Sequence, residues 1–496
     1  MVAAEAVQKI TISPKVELVL VAAALVVFAL LNLGTGTRSP MPWGDEIQYT
    51  DPAVNLLLGN GFTSSAQKHQ TMYEFWAACP PLYSALLYVW IRLLGFNLLA
   101  VRALNYTLFA ASVFLVWLFS GRTGLVRAAR YRLVLVALLL LGKGVTFSYR
   151  TARYDCIAIL LVSACALTYS ISNGPIRRLS LFALAALFPS SALPLLAYSA
   201  ILCSLLLVAL RAKFWREFLA IATGALCGLG ILYIFYSSND AWRSFLTVVA
   251  LETSDLGAVT LQLSRKLRYS SGFSADHSFL LLLLVTGSLL ARKNIRAALA
   301  CRPVLLFGVG ASICVPVGVF FLGHYPLCYS WMAYFPLSVC LCAALSSCSA
   351  HLRGKLARIA IYAGISLACL VGLPAVLLVA AYDWKDRDPQ QVEALAARHV
   401  SPQDWVYCEP EAYFAVKPRA HVTVVPAHLA MVCPEDKKKI SVLMVRPEGF
   451  RAVTEKIGGQ WHDTGEELAP RKANLFGKQS LFFEKYWLRV YRRAAP

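Results

Sequence analysis

Charge is what this sequence has least of. Of its 496 residues only 15% are charged, and 58% are hydrophobic; a water-soluble chain of this size carries nearer a quarter charged residues. Acids are the scarcer sign, 27 against 47 Lys and Arg. So few charges cannot cover the surface of a soluble fold, whereas a bilayer solvates apolar surface directly. The net charge of +20 does not point to nucleic acid, because the cations lie in short clusters between apolar runs, a membrane-topology pattern. The 14 cysteines contain no CxxC and no Cys/His spacing for zinc. Most sit inside apolar runs, where a thiol acts as a small hydrophobe. A repeat at fixed spacing is also lacking, which weighs only weakly against transport.

Long apolar runs are plentiful. Val16 to Leu33 reads as an uncleaved first helix, being long for a signal peptide and followed by GTGTRSP, which offers no cleavage site. The stretch PLYSALLYVWIRLLG is interrupted by Arg92 and too short to span, so it suits a helix lying at the membrane surface. Further spans read at 96–120, 132–148, 155–172, 179–191, 192–210, 218–237, 278–291, 303–322, 326–349 and 358–382. The run at 179–191 is marginal, with Pro189 and Pro194 bracketing a break. The expected fold class is an all-α polytopic membrane protein of about eleven transmembrane helices, with a small C-terminal α/β or α+β domain.

Parity tests this reading. With the amino terminus inside, the cytoplasmic loops are Arg122–Arg132, Asn173–Arg178, Arg211–Glu217, Arg292–Arg302 and His351–Arg358. Apart from Glu217, every charged residue in them is Lys or Arg, as the positive-inside rule asks. The other face then holds the first loop (34–96), the turn Tyr149–Tyr154, a long loop (238–276) and the tail. We expect residues 1–382 to form the transmembrane domain and 383–496 an extracytoplasmic soluble domain, in a bacterial inner (plasma) membrane. DWVYC, HVTVV and ISVLMV read as strands and QQVEALAARHV as a helix. Cys408 and Cys433 lie in this tail, where a disulfide or two unpaired thiols are both open.

The first outer loop carries the most chemistry. Asp45 and Glu46 follow the first helix; taken alone, such a pair can be no more than solvated loop acids. Asp155 lies in SYRTARYDCIA between Arg150, Arg153 and the next span, where mixed charges also serve as interfacial anchors. Lys143 sits inside LVLVALLLLGKGVTF, where an ionised group is costly unless paired or hydrated. It is seven residues from Arg150, on one helical face; snorkelling to the interface is the plain alternative. Arg102 heads a span at the same surface. His324, Tyr325, Tyr329 and Tyr334 cluster in GHYPLCYSWMAYFP, where aromatics are commonly belt residues. Arg265, Lys266 and Arg268 lie in the long outer loop.

The order of these features resembles the GT-C glycosyltransferases, in particular the branch of protein O-mannosyltransferases and bacterial aminoarabinose transferases. Asp45-Glu46 after the first helix, a stretch ending in LLLGNGF, Pro80-Pro81-Leu82 before a surface helix ending at Gly95, and Ala100-Val101-Arg102 opening the next span carry the likeness. It covers roughly the first 160 residues, and the later helices match only in pattern. The resemblance implies transfer of a sugar from a polyprenyl-phosphate donor to an acceptor glycan, lipid or protein on the outer face. Asp45 takes the place of the general base, with Glu46 the runner-up and Asp155 a second acidic position. Arg102, Lys143, Arg150, Arg153, His324 and Tyr325 are the candidate substrate-binding residues. The chemistry agrees: a hydroxyl nucleophile needs a base, and a phosphate leaving group needs cations. The chain departs from the aminoarabinose branch at Ala78-Cys79, where that branch has an acidic-basic pair before Pro-Pro, which leaves the donor sugar open. No residues show metal-ligand spacing, although Asp45, Glu46 and Asp155 could share a divalent ion, so the cofactor is unknown. The rival class is a transporter or flippase of a lipid-linked glycan, which would place its ionisable residues near mid-membrane. A polysaccharide polymerase or ligase is a third reading.

Overall fold

The computed structural model describes residues 12–193, 196, 215–254, 287, 329–348, 355–471 and 484–494. Helix α1 (Pro14–Thr35) begins where Ser13 accepts from the Val16 amide and Pro14 fills the first position. The loop helices α2 (Gly44–Leu57) and α3 (Leu82–Leu94) follow. Next come α4 (Leu98–Arg122), α5 (Ala129–Leu141), α6 (Lys143–Arg150), α7 (Asp155–Tyr169), α8 (Gly174–Ala186) and α9 (Phe188–Ser191). Beyond them lie α10 (Trp215–Ser237), α11 (Trp242–Ser254), α12 (Trp331–Cys348), α13 (Lys355–Leu370) and α14 (Leu373–Tyr382). This is an integral multi-pass bundle. Among the described residues three helices, α1, α4 and α10, are long and apolar enough to cross a bilayer, or five spans if α5–α6 and α13–α14 each count as one. Of the about eleven spans expected from hydropathy, three to five pass that test among the described residues. The runs at 278–291 and 303–322 and nearly all of 192–210 lie outside the described residues. The marginal run at 179–191 is divided between α8 and α9, with Pro189 opening the second piece.

Small residues set the helix contacts. A β-carbon at Gly224 or Gly228 of α10 would collide with the Phe182 or Ala186 backbone of α8. Lipid gives apolar helices no solvent-driven reason to associate, so close backbone approach has to supply the contact. The pair α5–α6 bends by 53° after Gly142, and α13–α14 bends by 44° near Gly372. Gly372 packs directly on the Leu141–Lys143 backbone, and Gly142 and Gly144 pack on Tyr334 of α12, leaving no room for a side chain. The two breaks thus face each other inside the bundle. At one end of the bundle, Glu17 of α1 pairs with Arg132 of α5 and accepts from Trp117 Nε1 of α4 at 2.7 Å. Arg177 and Glu217 tie α8 to α10 at 2.5 Å. The opposite end of α1 leads into the first loop and the C-terminal domain.

Helix α3 buries Tyr83, Leu87 and Ile91 and exposes Val89, Leu93 and Leu94. This one-sidedness suits a helix lying at the interface. The C-terminal domain starts with α15 (Pro389–His399), capped by Asp388. Its five-stranded sheet has the order β2-β1-β3-β5-β4, with β1 (Trp405–Cys408), β2 (Val422–Val424), β3 (Ile440–Val445), β4 (Trp461–Leu468) and β5 (Leu488–Arg493). β1 pairs in parallel with β2 and β3, and β5 runs antiparallel between β3 and β4. The three apolar runs read from the sequence are the parallel strands. Cys408 is buried in the sheet and Cys433 is exposed, and both are free thiols.

Candidate active site

Helix α2 presents three faces, because successive side chains turn by about 100°. Glu46 and Thr50 point into the bundle, Asp45 and Tyr49 point toward the turn after α6, and Ile47 and Asp51 point toward the C-terminal domain. The Tyr49 carbonyl accepts from Ser84 Oγ of α3 at 2.9 Å, which ties the surface helix to α2.

The bundle face is closed. Glu46 and Arg102 are both fully buried and form a two-pronged pair, Nε to Oε1 at 2.7 Å and Nη2 to Oε2 at 2.6 Å. Glu46 Oε1 also accepts from the Ala152 amide at 3.0 Å. Arg102 Nη1 donates to the Gly36 and Pro40 carbonyls at 2.5 and 2.8 Å. Arg150, also buried, donates to the Ser39 carbonyl at 2.9 Å, to Asn32 Oδ1 at 2.8 Å and to the Thr35 carbonyl at 3.0 Å. Every nitrogen of both guanidinium groups has a partner within the protein. They fix the strand of chain from Asn32 to Pro40 that delivers α2.

The second face is open at one edge. Arg153 pairs with Asp45 through Nη1 and with Asp155 through Nε at 2.9 Å. Asp155 is fully buried and accepts from Trp331 Nε1 at 3.1 Å, whereas the Asp45 side chain is 40% exposed. Four aromatic rings, Trp43, Tyr49, Tyr154 and Tyr329, stand 5.4–5.9 Å from the Arg153 guanidinium. Such ring faces favour a cation. Asn105 of α4 donates to the Thr151 and Arg153 carbonyls at 2.5 and 2.9 Å and holds this turn in place. Two carboxylates thus share one cation, and only the Asp45 carboxylate reaches solvent. Asp45, Glu46 and Asp155 do not converge on a common point: Glu46 faces Arg102, and Arg153 stands between the other two. Among the described residues no group of three or more His, Cys, Asp or Glu is placed to hold a metal ion.

The remaining candidates divide. Lys143 opens α6 at the helix break, half-buried, seven residues from Arg150 at the other end of the same helix. Tyr329 belongs to the ring cluster and Tyr334 to the helix break. His324, Tyr325, Arg265, Lys266 and Arg268 lie outside the described residues.

Sequence reasoning missed the third face. Asp51 is fully buried and accepts from Tyr413 Oη at 2.5 Å, Lys417 Nζ at 2.7 Å, the Ser65 amide at 2.7 Å and Ser64 Oγ at 2.9 Å. Burial would push its carboxyl up, but the Lys417 cation and the hydrogen bonds outweigh that and hold it below the usual range. Tyr413 and Lys417 belong to the C-terminal domain, more than 350 residues away in sequence. No local pattern in the chain announces such a pairing.

No protein-family model and no curated protein matches the chain. Solved structures do. ArnT from Cupriavidus metallidurans bound to undecaprenyl phosphate superposes with a TM-score of 0.60 at 14% identity, over 96% of this chain and 98% of that one. The arabinofuranosyltransferase AftD from Mycobacteria gives a TM-score of 0.49 at 14% identity, over 98% of this chain and 40% of that one. The likeness to ArnT covers nearly the whole of both chains, and it shows that this chain shares the ArnT fold.

Proposed function

We propose that this chain is a membrane glycosyltransferase that moves a sugar from a polyprenyl-phosphate donor to an acceptor hydroxyl. The observation that carries the reading is the exposed Asp45 carboxylate, at the head of a helix beside the membrane end, paired to a ring-enclosed Arg153. A base must reach its substrate, and Asp45 is the acid of the loop pair that can. The fold agrees, since the similar ArnT structure holds undecaprenyl phosphate.

In this reading Asp45 takes the acceptor proton as the hydroxyl oxygen attacks the anomeric carbon and the phosphate leaves, a single displacement that inverts the centre. Arg153 sets the orientation of Asp45, and Asp155 with Trp331 sets the orientation of Arg153. The leaving phosphate needs positive charge. Arg102 and Arg150 are committed to Glu46 and to backbone carbonyls, so we assign them to shaping the loop. For the phosphate the sequence offers Lys143 and, in the long outer loop, Arg265, Lys266 and Arg268. By the positive-inside distribution the site faces away from the cytoplasm.

The test is transfer from defined polyprenyl-phosphate sugars in detergent by wild type and Asp45→Asn. Lost turnover with donor binding retained is the expected result, and unchanged turnover removes Asp45 from the role. One observation favours a carrier instead: the facing helix breaks at Gly142 and Gly372, beside Lys143, are an arrangement used by transporters. Movement of lipid-linked glycan across proteoliposomes, without any transfer, would select that reading.

A further inference from the structure

We infer that the C-terminal domain completes the site in cis, with Lys417 and Tyr413 acting through Asp51 as positioning residues for the helix that carries Asp45. The inference rests on the reading of α2 as the catalytic helix. A helix of 14 residues has little stability of its own in water, and Pro52 removes one of its internal donors. The direction in which Asp45 points is therefore set by what the faces of α2 touch. The bundle holds Glu46 near the start of the helix. The C-terminal domain holds Ile47 and Asp51 on a separate face, one turn apart.

The grip on that face is extensive. Ile47, Met41 and Ala66 are buried in one core with Val406, Tyr413 and Val442 of the sheet domain. The loop after α2 is held as well: His428 Nδ1 lies 2.8 Å from the Gln67 carbonyl, and Tyr73 Oη donates to Asp436 at 2.7 Å. Asp51 is the point where helix, loop and domain meet, since Ser64, Ser65, Tyr413 and Lys417 all converge on it. Asp45 and Asp51 are six residues apart on one rigid segment, so any rotation of α2 that loosens Asp51 also moves Asp45 off Arg153. Lys417 touches no part of the Asp45–Arg153–Asp155 group in this structure. Its effect on transfer runs through the helix.

The experiment uses the full chain in detergent, with two readouts: hydrogen exchange across residues 44–57 and steady-state kinetics with a polyprenyl-phosphate sugar. Lys417→Met leaves Asp51 buried without its cation. Amides of α2 should then exchange roughly tenfold faster while those of α4 and β3 stay protected, the signature of a local opening. Turnover should fall about tenfold with the donor KM within about threefold, as expected for lost alignment. Asp51→Asn combined with Lys417→Met removes both charges and should recover much of the protection. Unchanged exchange in α2, or unchanged kcat in Lys417→Met, overturns the proposal. If Lys417→Met also loosens β1 and β3, Tyr413→Phe decides: it removes one hydrogen bond and should loosen α2 alone, and equal loosening of the sheet overturns the proposal. A chain that transfers no sugar yet shows the selective loosening would sink the enzymatic reading and keep the coupling.

Discussion

Two neighbouring carboxylates, Asp45 and Glu46, each meet an arginine, and the two pairs do opposite things. Glu46 and Arg102 are sealed, doubly bonded and saturated by backbone groups. Asp45 and Arg153 sit at an open edge, where the carboxylate keeps 40% of its exposure and the guanidinium is shared with Asp155. The charges are alike, but the surroundings differ. A buried charge with both oxygens hydrogen-bonded is part of the scaffold, and removing its partner is costly. An exposed one adds little to stability and is free to react.

That contrast can be broken in several ways. The largest effect is expected for Arg102→Ala, which strands Glu46 and should cost about 3–5 kcal/mol of stability, read by thermal unfolding in detergent. A folded, stable Arg102→Ala protein that only loses turnover would make the sealed pair part of the chemistry. Asp45→Asn should show the reverse pattern, a loss of about 10²–10⁴ in turnover with a melting point close to wild type. A large drop in melting point would erase the distinction between the pairs.

A third acid sharpens the comparison, being half-buried and not sealed. Burial, and then the Glu411 charge, push Glu409 in the C-terminal domain up to about 7. A raised carboxyl is stabilising only while protonated, so its contribution is whole below about pH 4.5 and lost as pH rises through about 7. Glu409→Gln should therefore gain about 1–3 kcal/mol over wild type at pH 8 and nothing at pH 4. Melting curves across that window check it; a pH-independent difference would assign Glu409 to packing alone. The smallest effect is expected for Arg153→Lys. It keeps the charge but loses the fork that spans Asp45 and Asp155, and turnover should drop about tenfold. No drop would mean that charge without geometry suffices at the open edge.

Much of the bundle was legible because lipid imposes a simple rule: backbone groups must pair within a helix and side chains must be apolar. The runs that became α1, α4 and α10, the short surface helix and the break near Pro189 follow from it. Strands β1 to β3 were legible as apolar runs because most of their side chains are buried. β4 and β5 were not. WHDTGEEL is an edge strand with no buried side chain, and LRVYRR owes its place to pairing between β3 and β4. The bends at Gly142 and Gly372 were hidden too, since a glycine within an apolar run does not disclose that another helix break presses on it.

For the site, the residue types and the segments that bear them stood in the sequence: Asp45, Glu46, Asp155 and the arginines between α4 and α7. Their division of labour did not. Arg102, Arg150 and Arg153 read alike as phosphate-binding candidates, and the structure commits the first two to Glu46 and to the loop after α1. Which acid stays reachable, and which arginine holds it, depends on groups brought together from the first loop, α4, the turn after α6 and α12. The sequence by itself determined that the chain lives in a membrane and sets Asp45 and Glu46 just beyond the first helix, because hydropathy and charge order act locally along the chain. Only the tertiary structure decided that Asp45 is open, Glu46 sealed and Asp51 gripped by the C-terminal domain, because burial and hydrogen bonding are properties of neighbours that the chain order keeps apart.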